Sequence, residues 1–402
     1  MKKFRKMMSF VVCFCLAVFI TPTFVNAATV EVSTEDELVG ALEIGNSVVL
    51  KNDITITKSS TSTNTTTSRT KGAVILANDD ITVDGAGFRI TTSAVNVLFE
   101  VNNVTKTKVS NVTFKNITLE NTKSASVSGQ SRVIDTRSGK ITLNLDDVTI
   151  TMGTKDGNNK QALTIGGNTN GEVITVNIKD SSIDATTVGY GIITFNPVNM
   201  NITNSEVKGY SALYMRDDAN SGGSEGSIVT VKDSTLSSKN EASEHETNSF
   251  GTIVLDDKNV TINVEDSTIK AEKNNNMQTV FGATTAVLDS EGKITSQITV
   301  KGDSEIIAPS MDEVISELVN EQTQETTKII NLEISGGVKS SVEIKDDYIA
   351  EGYEVVTRDD GSKEVIYSGS NNVQTYDGII NYVVLAFLSL IVLVRLRKKL
   401  FN

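Results

Sequence analysis

Apolar and polar residues alternate in a short block that recurs down the chain, of the form Φ-x-Φ-x-[Asp/Asn]-x-x-Φ with Φ apolar. It reads ITVDGAGF at 81–88, with Gly85 in the polar slot, VTFKNITL at 112–119, LNLDDVTI at 143–150 and VNIKDSSI at 176–183. It returns as MNITNSEV at 200–207, VTVKDSTL at 229–236 and INVEDSTI at 262–269. A stretched copy, ITVKGDSEI, fills 298–306, with Asp303 in its polar slot. Successive slots lie 31, 31, 33, 24, 29, 33 and 37 residues apart. A repeat of this period predicts stacked units that bury their apolar faces only against neighbours.

Positions 1 and 3 are apolar and position 2 is Thr or Asn in every copy, a period of two that predicts a strand with one face buried. The fifth residue breaks the alternation. Asp and Asn tolerate left-handed backbone angles, which predicts a sharp corner there. Position 8 then sends an apolar side chain inward from a second strand. A third apolar run precedes each block: Val74–Leu76, Leu98–Val101, Val133-Ile134, Leu163–Ile165, Ile192–Phe195, Leu213–Met215, Ile253–Leu255 and Val280-Phe281. Three strands per repeat make one turn of a three-sided coil, about 8–10 coils in all. No repeat holds ten or so residues of helical periodicity, which argues against leucine-rich and helical repeats, and a propeller blade needs four strands. An antiparallel sandwich would not keep a polar corner while loop lengths change around it.

These blocks and their Asn/Asp column resemble the pectate-lyase-like right-handed parallel β-helix superfamily over about residues 48–306. The resemblance implies an all-β, right-handed parallel β-helix. It says little about activity, because one fold hosts many functions.

The ends carry their own signals. Met1–Ala27 reads as a secretory signal peptide: Lys2, Lys3, Arg5 and Lys6, then apolar Met8–Ile20, then Val25-Asn26-Ala27. Both cysteines, Cys13 and Cys15, fall inside it, which leaves the secreted chain without disulfides or thiol chemistry. Residues 28–47 read as an N-terminal cap, with Thr34-x-x-Glu37 as a capping box before Leu38 and Leu42. The β-helix is expected over 48–345 and a terminal hairpin over 346–370. A second helix is expected at Ser310–Asn320, behind a capping box of Ser310 and Glu313.

Residues 371–402 resemble a cell-wall sorting signal of Gram-positive bacteria. Asn372, Val373, Gln374 and Thr375 match an N-P-x-T motif, with Val373 in the proline slot. The apolar run Ile379–Val394 would extend about 24 Å as a helix, and the basic tail Arg395–Lys399 would stay cytoplasmic. The resemblance implies a sortase-type transpeptidase that cuts after Thr375 and joins the chain to peptidoglycan. A plain membrane anchor is the alternative.

The chain has 37 basic and 50 acidic residues, and residues 28–375 alone have 29 and 49, a net charge of −20. Such a body repels nucleic acid, and Ca²⁺ is the cation it would attract. No cofactor is implied. Aromatics are 5% of the chain and Trp is absent, which argues against an extended glycan groove.

Candidate chemistry is sparse. Arg216, Asp217 and Asp218, at a strand end, are the weak catalytic candidates for a Ca²⁺-dependent lyase. Asp146-Asp147 and Asp256-Asp257 are adjacent carboxylates with structural explanations, and His245 lies alone in a polar loop. The outward Thr/Asn column offers one such residue per strand, too few for an ice-binding array. The reading is a non-enzymatic surface protein presenting loops to a host, matrix or glycan ligand. The alternative is a wall-anchored polysaccharide lyase or glycoside hydrolase acting on acidic glycans.

The tail makes a direct prediction. Wall-linked protein should be released by muramidase from cells expressing the wild type, and much less from cells expressing Thr375→Ala. Wild-type protein confined to the membrane with an intact C-terminus would leave the plain anchor.

Overall fold

The computed structural model describes residues 28–368, apart from 64–67, 104–107, 124–130, 138, 154–159, 167–171, 186–188, 218–221, 240–249, 273–277, 284–286, 309–317, 320–325 and 328–329. The signal-peptide and sorting-signal segments, His245 and Asp218 therefore lie outside the described residues.

The octets become two parallel stacks. Their first apolar positions are in register from coil to coil: Ile81, Val112, Leu143, Val176, Met200, Val229, Ile262 and Ile298, continued by Leu332. Their last positions form a second column: Leu119, Ile150, Ile183, Val207, Leu236, Ile269 and Ile306. The third runs form an eight-stranded parallel sheet, from Lys71–Leu76 to Gln278–Ala283. Its inward column is Ala73, Phe99, Ile134, Leu163, Ile192, Leu213, Ile253 and Phe281. The three columns enclose one core, all of it at or near zero exposure. The protein is an all-β parallel β-helix with three strands per coil.

The corner is left-handed, as the octet requires. Asn116, Asp147, Asp180, Asn204, Asp233 and Asp266 have φ between 46° and 57°. In two coils the backbone runs through this corner without losing its pairing, so Ser110–Asn121 and Ile141–Met152 are single bent strands. Serine follows the corner in the later coils and ties each to the next. Ser181 N donates to Ser205 Oγ at 3.0 Å, Ser205 N to Ser234 Oγ at 3.1 Å, Ser234 N to Ser267 Oγ at 3.1 Å and Ser267 N to Ser304 Oγ at 3.2 Å. Each hydroxyl supplies an acceptor to a buried N–H that the bend leaves without a ladder partner.

Outward residues add a register code. Lys115 pairs with Asp84 at 3.0 Å, Lys179 with Asp146 at 3.7 Å, and Glu265 with both Lys232 at 3.1 Å and Lys301 at 3.2 Å. Half-exposed pairs of this kind contribute little stability each. Their alternating sign penalises a slip by one coil. An amide ladder runs beside them: Asn201 donates to Asn177, Asn177 to Asn144 and Asn144 to Thr113.

Two octets are corrected. In the first, Ile90 rather than Phe88 pairs with Leu119, and the left-handed residues are Ala86 and Gly87, not Gly85. Two extra residues widen that corner, and Gly85 is kept because a Cβ there would sit 2.4 Å from the Asn116 carbonyl. In the last, Gly302 (φ 70°) turns the corner and Asp303 is the inserted residue. The expected helix at Ser310–Asn320 is also corrected at its end, since Leu318–Val319 pairs antiparallel with Thr326–Thr327. The rest of that segment lies outside the described residues.

Both ends of the stack are covered. The helix Glu35–Glu43 starts at the capping box, with Glu37 N donating to Thr34 Oγ1 at 3.2 Å, and buries Leu38, Ala41 and Leu42. At the other end the hairpin Tyr353–Thr357/Lys363–Tyr367 lays Lys363-Glu364 antiparallel against Lys339–Ser340 and buries Val365. Open strand edges invite pairing with other chains, and both devices block it.

The inward and outward assignments predict unequal mutants. Val231→Asp puts a carboxylate at a fully buried site and should cost about 4 kcal/mol or more. Thr230→Asp, facing out one residue earlier, should shift the melting temperature only slightly. Thermal denaturation of the two variants checks this.

Candidate functional site

One face of the coil departs from the alternating pattern. Strands of the first two stacks read buried-exposed along their length, whereas Lys71–Leu76, Val97–Asn102, Arg132–Thr136, Lys160–Ile165 and Gly189–Thr194 are buried at every position. A strand buried on both faces lies between two layers. Over these five strands the outer face of the third sheet is therefore covered by the chain itself, whereas at Leu213–Arg216 Tyr214 is half-buried and Arg216 exposed. Its central column, Val74, Glu100, Asp135, Thr164, Ile193, Tyr214 and Val254, changes chemistry up the stack.

The lower coils are charged. Arg132 Nη1 donates to Asp135 Oδ2 at 2.7 Å, Arg137 Nε lies 2.9 Å from Asp135 Oδ1, and Lys71 Nζ lies 3.9 Å from Glu100 Oε2. All five side chains are at most 8% exposed. Burial pushes the Arg132 guanidinium down to about 10, against the pull of Asp135. Burial also lowers Lys71, with Glu100 opposing.

The middle coils are aromatic. Tyr190, Ile193, Phe195, Tyr210 and Val254 form a cluster separate from the core, with Tyr214 against it. The Tyr190 ring centroid is 5.9 Å from Tyr210 and 5.3 Å from Tyr214. Arg216 lies 5.2 Å over the Phe195 ring, a cation–π contact. Tyr214 Oη donates to Asp256 Oδ2 at 2.8 Å. Burial raises the Tyr190 hydroxyl to about 12 and raises Tyr210 and Tyr214 as well, so none of the three ionises near neutrality.

Above them lies an acidic patch. Burial raises Asp257 to about 6, with the charges of Asp217 and Glu225 adding to the rise and backbone N–H groups of Lys258 and Ser224 opposing it.

Of the sequence candidates, Arg216 is exposed at the edge of the aromatic cluster and Asp217 lies beside Asp257; Asp218 is outside the described residues. Among the described residues no three of His, Cys, Asp or Glu converge as a metal site. Asp147 stays at the corner, and Asp256-Asp257 proves to be part of the acidic patch. Sequence reasoning reached Tyr214 only as the residue that opens the segment holding Arg216, Asp217 and Asp218, and it missed Tyr190, Tyr210 and the charged cluster. Their trace was the unbroken apolar character of the third runs, which signals two-sided burial. The low aromatic content was misleading, because three of the tyrosines gather on one face. A shallow groove follows the corner past Asp180, Asn204 and Asp233, and its polar atoms serve the ladder there.

Asp257 predicts a pH dependence. Its folded pKa lies above the ordinary carboxylate value, so the folded state holds the proton more tightly than the unfolded chain. Its contribution is then greatest in acid and falls as pH rises towards about 6. Asp257→Asn should flatten this slope and stabilise the protein at pH 7 by on the order of 2 kcal/mol, read from denaturant melts at pH 4.5 and 7.

Residues 29–155 match the family model described as "Putative pectate lyase-like adhesive domain". No curated protein and no solved structure matches the chain. The matched stretch runs from the N-terminal cap through the charged coils, and over it the chain is similar to a pectate lyase-like adhesive domain.

Proposed function

We propose that this is a cell-surface adhesin, a β-helix stalk that binds a host, matrix or glycan ligand without turning it over. The observation that carries the reading is the outer face of the third sheet. Where its cover ends, at Leu213–Arg216, it presents half-buried Tyr214 against the tyrosine cluster and an exposed arginine, Arg216, over the Phe195 ring. Aromatic and arginine side chains held rigid by a scaffold supply binding energy at low entropic cost. The match of residues 29–155 to an adhesive domain supports the same reading.

The termini supply the display. The signal peptide exports the chain, and a sortase-type transpeptidase acting at Asn372–Thr375 joins it to the peptidoglycan of a Gram-positive cell. Until then Ile379–Val394 holds it at the membrane.

A binding screen of residues 28–375 against glycans and matrix proteins, with product analysis for each glycan bound, tests the proposal. Binding without cleavage is expected, and Arg216→Ala should weaken it about tenfold, in the range for loss of an arginine anchor. Release of unsaturated sugar products, abolished by Arg216→Ala, would replace the adhesin with a polysaccharide lyase.

A further inference from the structure

We propose that the outward face of the first stack is a self-docking surface, on which a second copy of this chain lies face to face with its stack reversed. This is a different face from the ligand-binding sheet, and the pairing stands without that reading.

The face is open along its whole length. Its strands run from Ile81–Asp84 to Gln297–Lys301, and every outward position on them is at least partly exposed. Two outward columns stand in register from coil to coil. One reads Asp84, Lys115, Asp146 and Lys179, then Thr203, Lys232, Glu265 and Lys301. Its sign alternates from one level to the next, with Thr203 neutral at the middle. The other, two residues earlier, is Thr or Asn at every level from Thr82 to Thr299. The charged side chains are 19–62% exposed, so each can meet a charge across an interface as well as its neighbour in the column.

Alternation decides how two such faces can meet. A two-fold axis along the strands, between the levels of Lys179 and Thr203, turns the column end for end against itself. Asp84 then meets Lys301 across the axis, Lys115 meets Glu265, Asp146 meets Lys232, and Lys179 meets Thr203. Symmetry makes each contact twice. Copies docked level with their stacks parallel would set every charge against its own kind. Sliding the reversed copy by one coil would also oppose like charges, which an interface strongly disfavours. The Thr/Asn column faces itself in the same arrangement, and each hydroxyl or amide both donates and accepts, so it has no wrong partner. Eight coils at about 4.8 Å and five residues at about 3.3 Å give roughly 600 Å² per copy, which reaches the lower end of specific interfaces. The pair is closed by its two-fold and does not grow into a fibre. On the display proposed above, with each chain held by its C-terminal end, reversed copies come from opposed surfaces, so the pairing joins two cells.

Sedimentation equilibrium of purified residues 28–375, from about 1 μM to 1 mM, tests the pairing. A monomer–dimer equilibrium is expected at ~20 mM salt, and it should weaken about tenfold or more at ~500 mM, where exposed charges are screened. Asp146→Lys alone and Lys232→Asp alone each oppose like charges twice, and each should weaken the dimer about tenfold. Mixed one to one, the two variants should pair as tightly as wild type, because both facing pairs are again opposite in sign. Changes within each column are the same in the mixture as in the single variants, so the recovery reads the contact between copies. Residues 28–375 contain no cysteine, so Thr82→Cys and Thr299→Cys each supply one thiol. Oxidised together they should form the mixed disulfide, and Thr82→Cys alone should form none. A monomer throughout at low salt, no recovery on mixing, or a disulfide between two Thr82→Cys chains would each overturn the proposal. A monomer whose glycan or matrix binding is weakened by Asp146→Lys would give this face to a foreign ligand instead, and overturn it too. A protein that binds partners in the screen above yet stays monomeric loses this pairing and keeps its proposed function. A dimer with no foreign ligand does the reverse.

Discussion

Everything in this molecule depends on one backbone conformation repeated in register, the left-handed corner. A strand cannot turn so sharply and continue pairing unless one residue adopts positive φ. For most side chains that costs roughly 1–2 kcal/mol, and Asn, Asp and Gly bear it best. From Asn116 to Asp266 the corner is taken by Asn or Asp, and at Gly302 by glycine. Because each corner sits directly on the last, the apolar positions on either side fall into columns, and the core follows from the columns. The serine hydroxyls after the corner satisfy the N–H groups that the bend would strand. The bend and its remedy therefore occupy neighbouring positions of the same octet.

The third sheet answers a different demand. It carries no corner, so its length and loops are free to vary, and over its first five strands the outer face is covered rather than solvated. Covered polar groups must find partners or pay a desolvation penalty. Asp135 answers that demand in part, through a hydrogen bond from Arg132 and an ion pair with Arg137, and Tyr214 answers it by donating to Asp256. The result is a layer whose chemistry runs from paired charges through aromatic to acidic along the stack. A layer ordered by the scaffold binds without first being ordered by its ligand, which suits adhesion.

Capping completes the logic. A stacked coil has open edges at both ends, and here a helix closes one and an antiparallel hairpin the other. The hairpin reverses strand direction against Lys339–Ser340, so the parallel stack has no template on which to continue. The chain can then be long and repetitive without pairing end to end with its neighbours.

The coil, its period, its corner residues and the capping box were legible in the sequence because they obey local rules. Alternation marks a half-buried strand, and Asp or Asn tolerates the corner wherever it occurs. The same reading failed at Phe88 and Asp303, where an insertion moved the register and only pairing with the next coil revealed it. The face of the third sheet was legible only in part, through Arg216 and Asp217 at the end of one of the third runs. Glu100, Arg132 and Asp135 look like ordinary surface charges in sequence, and Tyr190, Tyr210 and Tyr214 are separated by variable loops. Whether a strand's second face meets water or another layer is decided by segments far along the chain. Local sequence thus determined the stack, and tertiary packing alone decided which of its faces was covered.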